Sequence, residues 1–193
     1  MDLKIISLVN LLKLFLESFC EDVRREIEKS HIRHRIKLHN EMRLPKYPLA
    51  SSDKMMTFEF VSEGRKGLIH KLIQYKQTNL KNIFNLAFGD KDHKTGEIDD
   101  LAISNNGDSE KVLATVVATI YAFTDKYPKA WIYATGSTKA RTRLYRMGIT
   151  KYLSEVKTDF EILGEKDDDW ESFKRNIEYD GFLIRRKKTS RTK

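Results

Sequence analysis

The residues best placed to do chemistry lie between Ala130 and Tyr152, in the run AWIYATGSTKARTRLYRMGITKY. Ala130 to Ala134 reads as a short buried strand, Gly136-Ser137-Thr138 as a turn, and Lys139, Arg141, Arg143 and Arg146 fall on the first turns of a helix. A helix start presents unpaired N–H groups and the positive end of the helix dipole, which together suit an anion. Lys139, Arg143 and Arg146 are spaced i, i+4, i+7 and share a face, while Arg141 points elsewhere. Gly136, Ser137, Thr138, Lys139, Arg141, Arg143 and Arg146 are therefore the candidate ligand-binding set, for phosphate or carboxylate that arginine can grip with two N–H groups.

Other constellations carry less. The acidic loop Asp90 to Asp100 is interrupted by Lys91 and Lys94, and a calcium loop's closing carboxylate falls on Leu101, so a polar hairpin is expected and no metal site. The run Glu165 to Asp169 reads as a solvated turn. His31, His34 and His39 lack a carboxylate at matching spacing, and His70 stands alone in a strand. No nucleophile elbow, dinucleotide fingerprint, phosphate loop or His-Glu-x-x-His is present. Tyr145 and Tyr152, with Arg185, Arg186, Lys187, Lys188 and Arg191, are of the types that bind nucleic acid, without a reader motif to order them.

The elements that hold the candidate turn follow from the periodicity. Strands are expected at Thr57 to Val61, Gly67 to Gln77, Asn82 to Phe88 and Glu97 to Ser104, in an antiparallel meander. In the second, Ile69, Lys71, Ile73 and Tyr75 face one way, and Leu68, His70, Leu72, Gln74 and Lys76 the other. Val112, Leu113, Val116, Val117, Ile120 and Tyr121 form a helical stripe opened by Asp108 or Ser109 and closed before Pro128. After the 130–134 strand and the basic helix, which Gly148 should end or bend, come a strand at Phe160 to Leu163, a short helix at Asp167 to Asn176 and a last strand at Tyr179 to Arg185. The fold class is α+β: a strongly curved, mostly antiparallel sheet with core helices near 108–126 and 138–152. Residues 1–41 are expected to be a helical extension, 42–188 one domain, and 189–193 a basic tail.

The 193 residues carry a formal charge of +8, 40% hydrophobic and 10% aromatic residues. This composition fits a folded domain attracted to polyanions. A single cysteine, Cys20, excludes an internal disulfide and fits a reducing cytoplasm. Leu3 to Phe19 is apolar but broken by Lys4, Lys13 and Glu17, so it reads as an amphipathic helix for a protein partner or a second copy, with no membrane span.

Two resemblances add to this. Leu44-Pro45-Lys46-Tyr47, Glu59 to Gly64, Gly136 to Tyr145 and Tyr179 to Ile184 resemble an uncharacterised bacterial domain family of unknown function over residues 42–188, with Met42 as its usual start. The order of elements is similar to that of the Gcn5-related N-acetyltransferases. That resemblance implies a coenzyme A thioester, its pyrophosphate on the loop Ile103 to Glu110, and Tyr145 as proton donor. The loop here has one glycine and no basic residue, and it carries Asp108 and Glu110. The leading expectation is a cytoplasmic binding protein, toxin-like or regulatory, for nucleic acid or a phosphate-bearing ligand. The rivals are an acyltransferase-like enzyme and an interaction module acting through residues 3–19.

Overall fold

The computed structural model describes residues 45–187 apart from 100, 101 and 103. The expected extension 1–41, with its histidines and Cys20, and the tail 189–193 lie outside the described residues.

Among the described residues, nine strands form one open, largely antiparallel sheet. They are β1 (Ala50–Ser51), β2 (Thr57–Gly64), β3 (Gly67–Gln77), β4 (Ile83–Lys91), β5 (Ile98–Asp99), β6 (Trp131–Ala134), β7 (Phe160–Lys166), β8 (Asp169–Ser172) and β9 (Gly181–Arg186). Their order is β1-β2-β3-β4-β6-β9-β7-β8, with β5 attached to β4. The meander β2-β3-β4 is as expected, with Phe58 opposite Ile73 and Ile73 opposite Phe88. Of the strand expected at 97–104, Ile98 and Asp99 form the two-residue β5, while the described residues Glu97, Ala102 and Ser104 are not in a strand.

One junction in the sheet is parallel: β4 and β6 pair over Ile83–Trp131, Phe84–Ile132 and Asn85–Tyr133. A parallel pair needs a crossover, and helix α1 (Ser109–Lys126) supplies it. Its side chains cover the face built by Phe58, Phe60, Ile73, Tyr75 and Phe84. Phe123 stacks on Tyr75 with centroids 4.0 Å apart and meets Phe84 edge-on at 5.1 Å. Thr115, Thr119 and Thr124 are buried on the same helix and turn their hydroxyls onto the carbonyls of Lys111, Val116 and Ile120. This is how a helix buried beyond a narrow stripe keeps its polar atoms paired. Asp108 occupies the N-cap position as expected, but its side chain caps no helix amide.

Two expectations are corrected. Residues 167–176 form no helix: β7 turns back into β8 through Asp167 and Asp168, with φ of 54° and 64°. Two consecutive left-handed residues between paired strands make the tight hairpin that matches strand twist. Gly148 does not end its helix. α2 (Lys139–Lys151) runs through it, and α3 (Leu153–Asp159) follows at once. A Cβ at Gly148 would lie 2.5 Å from Leu113 Cδ2, so the glycine lets α2 pass close to α1.

Candidate functional site

The turn from β6 into α2 stands at the carboxyl ends of the parallel pair, where β4 continues to Lys91 while β6 stops at Ala134. In open sheets, crevices arise where the strand order reverses. The turn is fastened from several sides. Thr135 Oγ1 donates to the Asp180 carbonyl at 2.6 Å, and the Gly136 amide donates to Thr142 Oγ1 at 3.1 Å. Thr142 is 6% exposed, and its own amide donates to the Thr138 carbonyl at 3.0 Å. Thr138 is the N-cap, with its hydroxyl accepting from the Arg141 amide at 3.3 Å. A Cβ on Gly136 would sit 2.4 Å from Thr142 N and 2.6 Å from Arg141 Cβ, so only glycine lets the turn lie this close to the helix start.

The basic side chains divide into two sets. Arg141 donates through Nη1 to Ser137 Oγ and through Nη2 to the Ala102 carbonyl, both at 2.6 Å. It therefore ties the turn to the segment after β5. Arg146 donates to the Ile177 carbonyl at 2.9 Å and pairs with Glu178 at 3.6 Å. These two arginines brace the fold, and the Gly136 amide is likewise used internally. Lys139 and Arg143 are exposed, lie one helical turn apart, and make no ion pair among the described residues. The amides of Lys139 and Ala140 also find no acceptor among the described residues. Of the seven expected residues, the turn thus leaves Ser137, Thr138, Lys139 and Arg143 on the surface, although Ser137 is engaged by Arg141.

Tyr145 is half-buried on the inner side of α2. Burial raises its hydroxyl above the usual tyrosine value, and the nearby Arg141 guanidinium opposes that rise. Its hydroxyl bonds to no described residue.

A second polar cluster, not anticipated from the sequence, surrounds the start of α1. Tyr47 Oη and Ser62 Oγ both donate to Asp108 Oδ2, at 2.7 and 2.6 Å. Asn106 Nδ2 donates to Ser62 Oγ at 3.0 Å. Burial pushes the Asp108 carboxyl up, but the Ser62 and Tyr47 hydroxyls, its own backbone amide and the Lys71 ammonium together hold the group below the ordinary aspartate value. Close by, Lys71 is 5% exposed, and its ammonium is bonded to Asp90 and, at 2.7 Å, to Ser104 Oγ. Lys71 stands directly opposite Asp90 in the β3–β4 register. The pairing explains how a lysine tolerates the apolar face, since a lone buried ammonium is costly. A legible signal existed: Lys71 alternates with Ile69, Ile73 and Tyr75. Its partners are 19 and 33 residues away and gave none.

The model of a family of unknown function, DUF6934, matches residues 43–187 of the chain. The chain belongs to this family. The match spans the described DUF6934 domain from the Tyr47 anchor to the end of β9. No curated protein and no solved structure matches the chain significantly. Among the described residues, no helix is long and apolar enough to cross a membrane.

Proposed function

We propose that the DUF6934 domain captures an anionic group of a partner at the start of α2, through Lys139 and Arg143 with Ser137, Thr138 and the first helix amides. The observation carrying this reading is that Lys139 and Arg143 are exposed and have no ion-pair partner among the described residues, while Arg141 and Arg146 on the same helix are bonded internally. An exposed cation pair can bind an anion while staying partly hydrated, which avoids the cost of burying its charge, and it gains from the helix dipole beside it. The formal charge of +8 adds long-range attraction for a polyanion. The same reading treats residues 42–188 as the working unit and the cytoplasm as its site of action.

The test is binding of a labelled single-stranded oligonucleotide and of labelled polyglutamate to the full chain. Lys139→Ala/Arg143→Ala should weaken both without altering the fold, whereas Arg141→Ala should lower thermal stability. Unchanged binding in the Lys139/Arg143 double variant overturns the proposal.

The acyltransferase-like rival draws on the order of elements along the chain and on the Tyr145 hydroxyl, which has no hydrogen-bond partner among the described residues. The residues do not fit its cofactor. The start of α1, where a pyrophosphate would rest, holds the Asp108 carboxylate between Tyr47 and Ser62. It also holds Glu110, whose carboxylate is bonded to Lys151 and Tyr152 and kept below the usual value by them. Two carboxylates at one helix start repel a further anion. The rival predicts stabilisation by acetyl-coenzyme A, and the present reading predicts none. The interaction reading through residues 3–19 falls outside the described residues.

A further inference from the structure

The outer face of α2 carries more than charge. Ala140, Leu144 and Met147 are spaced i, i+4, i+7 and form one row along the helix. Leu144 is 63% exposed and Met147 55% exposed. Scattered apolar side chains on a surface mean little, and Leu49, Leu68 and Leu80 elsewhere are of that kind. Here two large ones adjoin each other and are bordered by Lys139 and Arg143. The remaining cations of the helix are satisfied: Arg141 by Ala102, Arg146 by Ile177, Lys151 by Glu110. The cations with neither an ion pair nor such a hydrogen bond among the described residues are the ones beside the apolar row.

We infer that this face docks an acidic segment of a partner protein that also presents apolar side chains, with its carboxylates on Lys139 and Arg143 and its apolar residues on Leu144 and Met147. The inference rests on the anion reading above and names the partner's class. Charge complementarity selects this occupant. A second copy of the same face would set lysine and arginine against their own kind. A nucleic acid would neutralise the cations and leave Leu144 and Met147 in water, with no exposed aromatic ring on this face for a base to stack on, since Tyr145 turns inward. An amphipathic peptide laid along a helix face satisfies both halves. The 13-residue helix offers a small interface, so the dissociation constant should be on the order of micromolar.

Three labelled probes test this with the full chain. One is a synthetic peptide with glutamates on one helical face and leucines on the other. The second is the same peptide with serines for leucines, and the third is a single-stranded oligonucleotide. The leucine peptide should bind more tightly than the serine peptide. Leu144→Ala/Met147→Ala should erase that advantage, about tenfold, while oligonucleotide binding stays unmoved. Alanine keeps the helix, and circular dichroism verifies it. Equal binding of the two peptides, or an oligonucleotide preferred over both, overturns the inference while the anion reading survives on the loss seen in Lys139→Ala/Arg143→Ala. If that variant changes no probe, the anion reading itself fails.

Discussion

Replacing Tyr47 by phenylalanine removes one oxygen and leaves the rest of the anchor in place. The ring still stacks on Phe60 at 5.6 Å and still lies under the Lys111 ammonium, 3.9 Å from its centroid. What disappears is a hydroxyl that donates to the Asp108 carboxylate at 2.7 Å and accepts from the Glu63 amide at 3.0 Å. A hydrogen bond to a charged acceptor contributes about 1.5–3 kcal/mol, and the amide left without its acceptor adds about 1 kcal/mol. With a urea slope of about 2 kcal/mol per molar, the midpoint should fall by roughly 1–2 M at pH 7. The pH dependence gives a second readout. Asp108 titrates below its ordinary value in the folded protein, so its stabilisation is present above the unfolded aspartate value of about 4 and is lost as pH falls through the folded value. Tyr47→Phe removes one of the two hydroxyl donors that lower it, so the gap between wild type and variant should narrow on acidification. Urea titrations followed by tryptophan fluorescence at several pH values between 7 and 3 measure both. An unchanged midpoint at pH 7, or a gap that widens in acid, would refute the reasoning.

Lys71→Met should destabilise by about 3 kcal/mol or more, because it strands the Asp90 carboxylate beside Phe88, and Lys71→Met/Asp90→Leu should recover much of that loss in thermal unfolding. Gly136→Ala forces a Cβ to within 2.4 Å of backbone and should free the Gly136 and Thr142 amides, seen as faster hydrogen exchange at both. Asp168 adopts φ 64°, so Asp168→Gly should relieve the left-handed conformation by more than the unfolded chain gains in freedom, and raise the melting temperature by roughly 1–4 °C. A fall in melting temperature would mean that Asp168 contributes a specific contact at the turn.

The meander, α1 and β6 were legible because alternation and helical period are local properties of the chain. So was the strand-turn-helix at Gly136. At Glu165 to Asp169 the charged turn was legible but the returning strand β8 was not, since Asp167 to Asn176, with Trp170 and Phe173, looks in sequence like a short helix. Gly148 was misread for a related reason: a glycine in a helix suggests an end, and its role in admitting Leu113 depends on a residue 35 positions earlier in the chain. At the candidate site, the residue types were legible and their duties were not. Whether an arginine faces solvent or the Ala102 carbonyl depends on a contact 39 residues away, which no spacing within the helix encodes. Tyr47, Ser62 and Asp108 were invisible as a group for the same reason, being separated by 46 and 61 residues.

The salt dependence of polyanion binding tests the central claim most directly. If Lys139 and Arg143 are the contacts, Lys139→Ala/Arg143→Ala should reduce the slope of log affinity for a single-stranded oligonucleotide against log salt by roughly 1.4. Arg141→Lys, altering a side chain already engaged with Ser137 and Ala102, should leave the slope as it is. A slope unchanged in the double variant, or reduced by Arg141→Lys instead, would contradict the assignment.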